Sequence, residues 1–181
     1  MPNLTIFDLD NTLLSGDSDR AWGQYIVEKK IGSDKFLVES ENFYNSYYDG
    51  NLDIHSFLDF CLKPLMENEW SNLIELREGF IENKIKPMIL NKAVEAVELS
   101  KSKGPVVIAT ATNSFVTRPI ADLFGIKNLI ATEFIIKDNK FTGEVDGVPC
   151  FREGKVQKVE KWVKENGYNL LDATFYSDSF N

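Results

Sequence analysis

The chain opens on a short apolar run, Leu4-Thr5-Ile6-Phe7, that breaks abruptly into Asp8-Leu9-Asp10-Asn11-Thr12. A run of this kind bounded by polar residues reads as a buried strand. From about Ser18 to Lys86 the apolar positions switch to helical spacing. Ser18 is the expected N-cap of a first helix carrying Trp22, Tyr25 and Ile26. Phe36, Phe43, Tyr44, Tyr47 and Tyr48 mark a second helix, stopped at Asp49-Gly50. Asp53 caps a third, striped by Ile54, Phe57, Leu58, Cys61, Leu62 and Leu65. Trp70, Leu73, Ile74, Arg77, Phe80 and Ile81 mark a fourth, which Pro87 is expected to end. Beyond Pro87 the two patterns alternate. Ala93 to Leu99 is helical, Pro105-Val106-Val107-Ile108-Ala109 a buried strand, Phe115 to Phe124 a helix closed by Gly125, and Asn128 to Ala131 a short strand. Asp138-Asn139 reads as the turn of a hairpin, Val156 to Val163 as a helix ended by Gly167, and Ala173 to Ser177 as a last strand. A strand, a helical block, then alternating helices and strands predict an α/β fold: a parallel sheet flanked by helices, with an all-helical insertion after the first strand. The expected boundaries are 1–16 and 87–181 for the α/β body and 17–86 for a helical cap.

Composition narrows the partners. The formal net charge of −8 disfavours nucleic acid or an anionic membrane as the main partner, while leaving room for a small phosphorylated metabolite bound through local cations. No apolar run approaches the length of a membrane helix. The first residues run directly into a strand, so no signal peptide is expected. The two cysteines, Cys61 and Cys150, read as free thiols of a cytoplasmic protein.

Alternate residues of a strand share a face, so Asp8 and Asp10 start on one side of the strand end and can converge on one volume. Carboxylates that close repel unless a cation or a shared proton relieves them. Phosphoryl chemistry with Mg²⁺ is the use this points to. In parallel sheets the site lies beyond the carboxyl ends of the strands. Those ends carry Asp8 and Asp10, Thr110 and Thr112, and Ser177 and Asp178.

These residues resemble the motifs of the haloacid dehalogenase superfamily of phosphohydrolases: Asp8-Leu9-Asp10-Asn11-Thr12, Val107-Ile108-Ala109-Thr110, Gly154-Lys155-Val156 and Tyr176-Ser177-Asp178-Ser179. More narrowly, Gly16-Asp17-Ser18-Asp19 and Pro149-Cys150-Phe151-Arg152-Glu153-Gly154-Lys155 resemble the IB branch of phosphoserine phosphatase-like and histidinol-phosphatase-like enzymes. The resemblance implies a Rossmann-like fold and hydrolysis of a phosphomonoester through an aspartyl-phosphate. Asp8 is then the nucleophile, Asp10 the general acid and base, and Thr110 and Lys155 the phosphate contacts, with Thr112 competing for the hydroxyl role. Mg²⁺ falls to the Asp8 and Asp178 carboxylates and the Asp10 carbonyl. Asp17 lies where relatives hold a substrate amine, as in histidinol phosphate or phosphoserine, and Arg77 is a candidate for an anionic part of the substrate. Ala111-Thr112-Asn113 follow Thr110 where the phosphoserine branch has glycines, which favours the histidinol phosphate-like substrate. The chain stops at Asn181, inside the fourth motif, where relatives carry a further acidic residue. The expectation is therefore a truncated or naturally short chain, with a catalytically weak phosphate- or metal-binding protein as the alternative of another class.

Overall fold

A computed structural model describes residues 3–178, so Ser179 of the fourth motif lies outside the described residues. Strand β1 (Thr5–Phe7) is buried on both faces and sits inside a parallel sheet. It pairs with β2 (Val106–Asn113) on one side and β6 (Thr174–Tyr176) on the other, and β3 (Asn128–Thr132) extends the sheet beyond β2. The register sets Phe7 opposite Ile108 and Tyr176, and the Phe7 and Tyr176 rings stack 4.7 Å apart. The strand order β3-β2-β1-β6 reverses direction at β1, so Asp8 leaves the sheet at its switch point.

Alternation along β1 and β2 sorts the side chains. Leu4, Ile6, Val107 and Ala109 face α8 (Glu153–Glu165) and pack on Val159 and Val163. Phe7, Val106 and Ile108 face the opposite layer, built with α6 (Asn91–Lys101) and α7 (Ser114–Leu123). Asp8 follows Ile6 by two positions and so emerges on the α8 side, the geometric reason that it can meet a side chain from that helix.

Between β1 and α6 the chain is helical: α1 (Ser18–Glu28), α2 (Asp34–Tyr48), α3 (Ile54–Met66), α4 (Trp70–Phe80), a π-helical turn (Ile81–Ile85) and the single turn α5 (Lys86–Met88). The cap of α1 is Asp17 rather than Ser18, with the Asp17 carboxylate accepting from the Arg20 N–H at 2.8 Å. Ser18 is displaced from that role because its own N–H is held by Asp10 Oδ1 at 2.6 Å. Asp53 caps α3 as expected, accepting from the His55 and Ser56 amides. Pro87 does not stop the fourth helix at its own position. The looser i→i+5 winding of the π turn brings Phe80 and Ile85, five apart and both fully buried, toward one face, and Pro87 then occupies the first turn of α5, where its missing N–H is harmless.

Strand β2 runs past Ala109 to Asn113, because Asn113 still pairs with Thr132 of β3 across a register shift. The hairpin β4 (Phe134–Lys137) and β5 (Lys140–Val145) turns on Asp138 and Asn139, both at positive φ (51° and 58°) as a type I′ turn requires. It meets the helical insertion through an aromatic cluster in which Phe141 lies 5.8 Å from Trp70 and 5.3 Å from Phe115. Among the described residues, no helix is long and apolar enough to cross a membrane.

Candidate active site

A cavity of about 360 Å³ lies between the carboxyl ends of the strands and the helical insertion. Asp8 enters it directly past β1, its N–H fixed on the Tyr176 carbonyl at 2.8 Å. One carboxylate oxygen accepts from the Leu9 amide at 2.9 Å; the other accepts from Lys155 Nζ at 3.2 Å and lies 3.5 Å from Ser177 Oγ. Side-chain exposures of 13% for Asp8 and 15% for Lys155 keep this ion pair out of bulk water, where its attraction is less screened. Lys155 reaches inward because α8 begins beside it: Gly154 is buried against Pro149, and a β-carbon there would stand 2.1 Å from the Pro149 carbonyl oxygen. Glycine is what lets the turn approach this closely.

Asp10 is held from three directions. Ser18 N–H donates to one oxygen, while Thr112 Oγ1 donates to the other at 3.0 Å and Thr110 Oγ1 lies 3.4 Å from it. Desolvation, followed by the charge of Asp17 and a smaller contribution from Asp8, raises the Asp10 carboxyl to about 7 against the opposing bonds from Ser18. Thr112 lines the cavity; Thr110 is fully buried behind it and also accepts the Thr112 N–H at 3.2 Å. Asp178, the last residue described, is exposed at the cavity rim, with its N–H on Thr12 Oγ1 at 3.0 Å.

The first turn of α1 brings two further carboxylates to the cavity. Asp17 is raised to about 6, by burial and then by the charge of Asp19. Asp19, which the sequence motif contains but to which no role was assigned, is raised to about 7, by burial and then by Asp10. The Tyr44 hydroxyl lies 3.4 Å from an oxygen of each, and Cys61 Sγ is 3.8 Å from Asp19. Burial and these carboxylates push the Tyr44 hydroxyl and the Cys61 thiol well up, so both stay protonated and face the acids as donors. Asp19 was discoverable in principle: Asp17 and Asp19 flank a buried Ser18, a polar doublet at the start of an apolar helix. Aromatic rings from Phe43, Tyr47, Tyr48, Phe57 and Phe151 complete the wall. The cations lining the cavity, among the described residues, are Lys155 and Arg152.

Arg77 does not join them. Its Nη1 donates to the Phe115 carbonyl at 3.0 Å and its guanidinium stacks 4.6 Å over the Phe115 ring, so burial against the body rather than the cavity accounts for its place in an apolar stripe. Arg20 is likewise committed, paired with Glu41 and lying 5.2 Å over the Tyr44 ring.

No three His, Cys, Asp or Glu side chains cluster as a metal set among the described residues. The donors at the mouth are nevertheless hard oxygens, with two carboxylates, Asp8 and Asp178, lining the same cavity beside Asp10. Two carboxylates, a carbonyl and water suit Mg²⁺, which keeps part of its hydration shell.

A parallel sheet whose strand ends converge carboxylates and hydroxyls on one cavity, where a lysine from α8 meets them, defines a class of phosphoryl-handling hydrolases. A profile of the haloacid dehalogenase-like hydrolases matches residues 5–181. The histidinol-phosphatase of Neisseria meningitidis serogroup C is 37% identical over 187 aligned residues, spanning 100% of this chain and 84% of that one. The phosphoserine phosphatase of Methanocaldococcus jannaschii is 26% identical, over 98% of this chain and 78% of that one. A solved protein of unknown function from Bordetella pertussis Tohama I superposes with a TM-score of 0.88 at 35% identity, over 100% of this chain and 84% of that one. The chain belongs to the haloacid dehalogenase-like hydrolases, and within that family it is a phosphatase, a phosphoric monoester hydrolase.

Proposed function

We propose that the protein is a Mg²⁺-dependent phosphatase of a small amine-bearing phosphomonoester, of which histidinol phosphate is the leading candidate, acting through an aspartyl-phosphate on Asp8. The observation that carries this reading is the meeting of Asp8 and Lys155 at 3.2 Å, beside a carboxyl, Asp10, whose pKa near 7 suits proton transfer. A carboxylate oxygen of Asp8 attacks phosphorus and the bond to the ester oxygen breaks. Asp10 gives its proton to the departing alcohol. Water then attacks the aspartyl-phosphate, Asp10 takes a proton from it, and inorganic phosphate leaves with the Asp8 carboxylate restored. Lys155 balances charge on the phosphoryl oxygens. Thr112, whose side chain lines the cavity, is the threonine placed to serve them, while Thr110, buried behind it, backs Asp10. When bound by the Asp8 and Asp178 carboxylates and the Asp10 carbonyl, Mg²⁺ lowers the repulsion between the nucleophile and an anionic phosphate. The helical segment 17–86 acts as the cap that excludes water from the first step.

The leaving-group wall supports a cationic substrate. Asp17 and Asp19 line the cavity and, among the described residues, neither forms a salt bridge, while the aromatic rings beside them suit a flat or cationic group. A carboxylate beside the amine, as in phosphoserine, meets the same acids. Neither arginine near it is placed to receive that carboxylate: Arg77 is held by the Phe115 carbonyl, and Arg152, on the cavity wall, turns to the Gly50 carbonyl. The substrate class is therefore amino-alcohol phosphates lacking a carboxylate, and the setting is cytoplasmic metabolism.

Phosphate release measured with Mg²⁺ tests both parts. Wild type should hydrolyse histidinol phosphate at least ~10-fold more efficiently than phosphoserine, the order of one unfavourable charge contact. Asp8→Asn should release none above background while remaining folded. Equal release by Asp8→Asn removes Asp8 as nucleophile; a preference for phosphoserine removes the acidic-wall reading.

A further inference from the structure

Arg152 adopts φ 46° and ψ −120°, a conformation that side-chain-bearing residues disfavour. The surrounding turn enforces it. Phe151 N–H donates to the Pro149 carbonyl at 2.8 Å, Gly154 N–H donates to the Phe151 carbonyl at 2.9 Å, and the Arg152 carbonyl accepts from the Lys155 amide at 3.0 Å. The strained backbone sends the guanidinium toward the helical insertion. There Nη2 donates to the Gly50 carbonyl at 3.0 Å, in the turn between α2 and α3. The guanidinium also lies 5.0 Å from the Phe151 ring, which in turn sits 6.2 Å from the Tyr47 ring at the end of α2. Arg152, Phe151, Tyr47 and Tyr48 all line the cavity. A single exposed residue thus joins the turn that delivers Lys155 to the turn that ends α2.

We propose that Arg152 is a positioning residue that fastens the α2–α3 turn onto the body and so completes the aromatic, leaving-group end of the cavity. The proposal rests on the phosphatase reading above. Strain of this kind persists where the surrounding structure over-determines it, and here it buys a direction: the guanidinium reaches across to Gly50. The phosphoryl end, built from Asp8, Lys155 and Thr112, does not depend on this contact. Esters with a bulky leaving group should therefore feel its loss, and a phosphoryl donor with a minimal leaving group should not.

Arg152→Ala removes the fastening and keeps the strain; Arg152→Gly removes both; Arg152→Lys keeps one donor. Amide hydrogen exchange in the full chain reads the fastening directly at Asp49, Gly50 and Asn51, whose N–H groups close α2 on the carbonyls of Asn45, Tyr47 and Ser46. Exchange there should quicken about fivefold or more in Arg152→Ala and Arg152→Gly and be partly restored in Arg152→Lys, as expected for a local opening. With histidinol phosphate, KM should rise roughly tenfold at a kcat changed by less than about threefold, while hydrolysis of acetyl phosphate stays within about twofold. Arg152→Gly should melt no lower than Arg152→Ala, because glycine accepts the backbone conformation. Unchanged exchange in both variants overturns the proposal. So does an equal loss with both substrates at unchanged exchange, which makes Arg152 a phosphate ligand instead. If wild type hydrolyses neither substrate, the phosphatase reading fails while the exchange measurement still decides the fastening.

Discussion

Asp19 is a site where stability and function are set against each other, and Asp19→Asn measures the conflict. In the unfolded chain its carboxyl has the ordinary value of 3.8; in the folded protein burial and the charge of Asp10 raise it to about 7. Between those values the native state holds a proton that the unfolded state has released. Stability therefore falls as pH rises through this window, and the whole penalty is present above the folded value. At 1.36 kcal/mol per unit, Asp19 destabilises the fold by about 1 kcal/mol near pH ~4.5 and by about 4 kcal/mol near pH ~8. Asp10 and Asp17 are shifted in the same direction, so part of each penalty is mutual. Asparagine keeps the size of the side chain and an oxygen for Tyr44 but carries no charge. Urea denaturation in the presence of chelator, near pH ~4.5 and ~8, should show Asp19→Asn more stable by about 2–4 kcal/mol at the higher pH and by about 1 kcal/mol or less at the lower. The same variant should hydrolyse histidinol phosphate less efficiently, because the cationic group has lost a partner. An identical pH slope in wild type and variant, or a variant less stable near pH ~8, refutes the assignment of Asp19 as a desolvated charge.

Three further outcomes follow from the geometry. Gly154→Ala forces a β-carbon to within 2.1 Å of the Pro149 carbonyl oxygen and should destabilise by at least about 1–3 kcal/mol in urea denaturation, with Lys155 displaced and phosphate release reduced. Thr112→Val should lower kcat/KM roughly tenfold, whereas Thr110→Val, at a fully buried position behind the cavity wall, should lower it by less than about threefold; the reverse pattern would return the phosphate role to Thr110. Chelation should abolish turnover and Mg²⁺ restore it, and near pH ~8 Mg²⁺ should also raise the melting temperature, since a bound cation relieves the carboxylates that the fold holds together.

Much of this was legible because it depended on local rules. The break from Phe7 to Asp8 marks the end of a buried strand whatever surrounds it, and Asp138-Asn139 between two apolar runs specifies a type I′ turn. Asp53 caps α3 through its own two following amides. The features that were not legible depend on what an element docks against. Asp17 and Ser18 are both good caps, and the choice fell to Asp17 only because Asp10, eight positions before Ser18, captures the Ser18 amide. The Thr110-Ala111-Thr112-Asn113 stretch looks like the polar end of a strand, yet β3 continues the pairing and carries Thr112 to the cavity. Arg77 interrupts an apolar stripe, and periodicity gives no means of knowing that the Phe115 carbonyl and ring wait beneath it. Asp19 gains its meaning from Tyr44 and Cys61, on two other helices.

The pairing of Asp8 with Lys155 joins residues 147 positions apart, and Thr112 reaches Asp10 across 102. Contacts so distant in sequence form late, because the closure entropy of long loops must be overcome before they contribute. The insertion helices, made of short-range turns, need not wait for them. During refolding, helical signal should therefore recover ahead of catalysis. Return of phosphate release reports the moment when β6 and α8 join β1, which makes turnover a sharper gauge of complete folding than the spectroscopic helix content that dominates this chain.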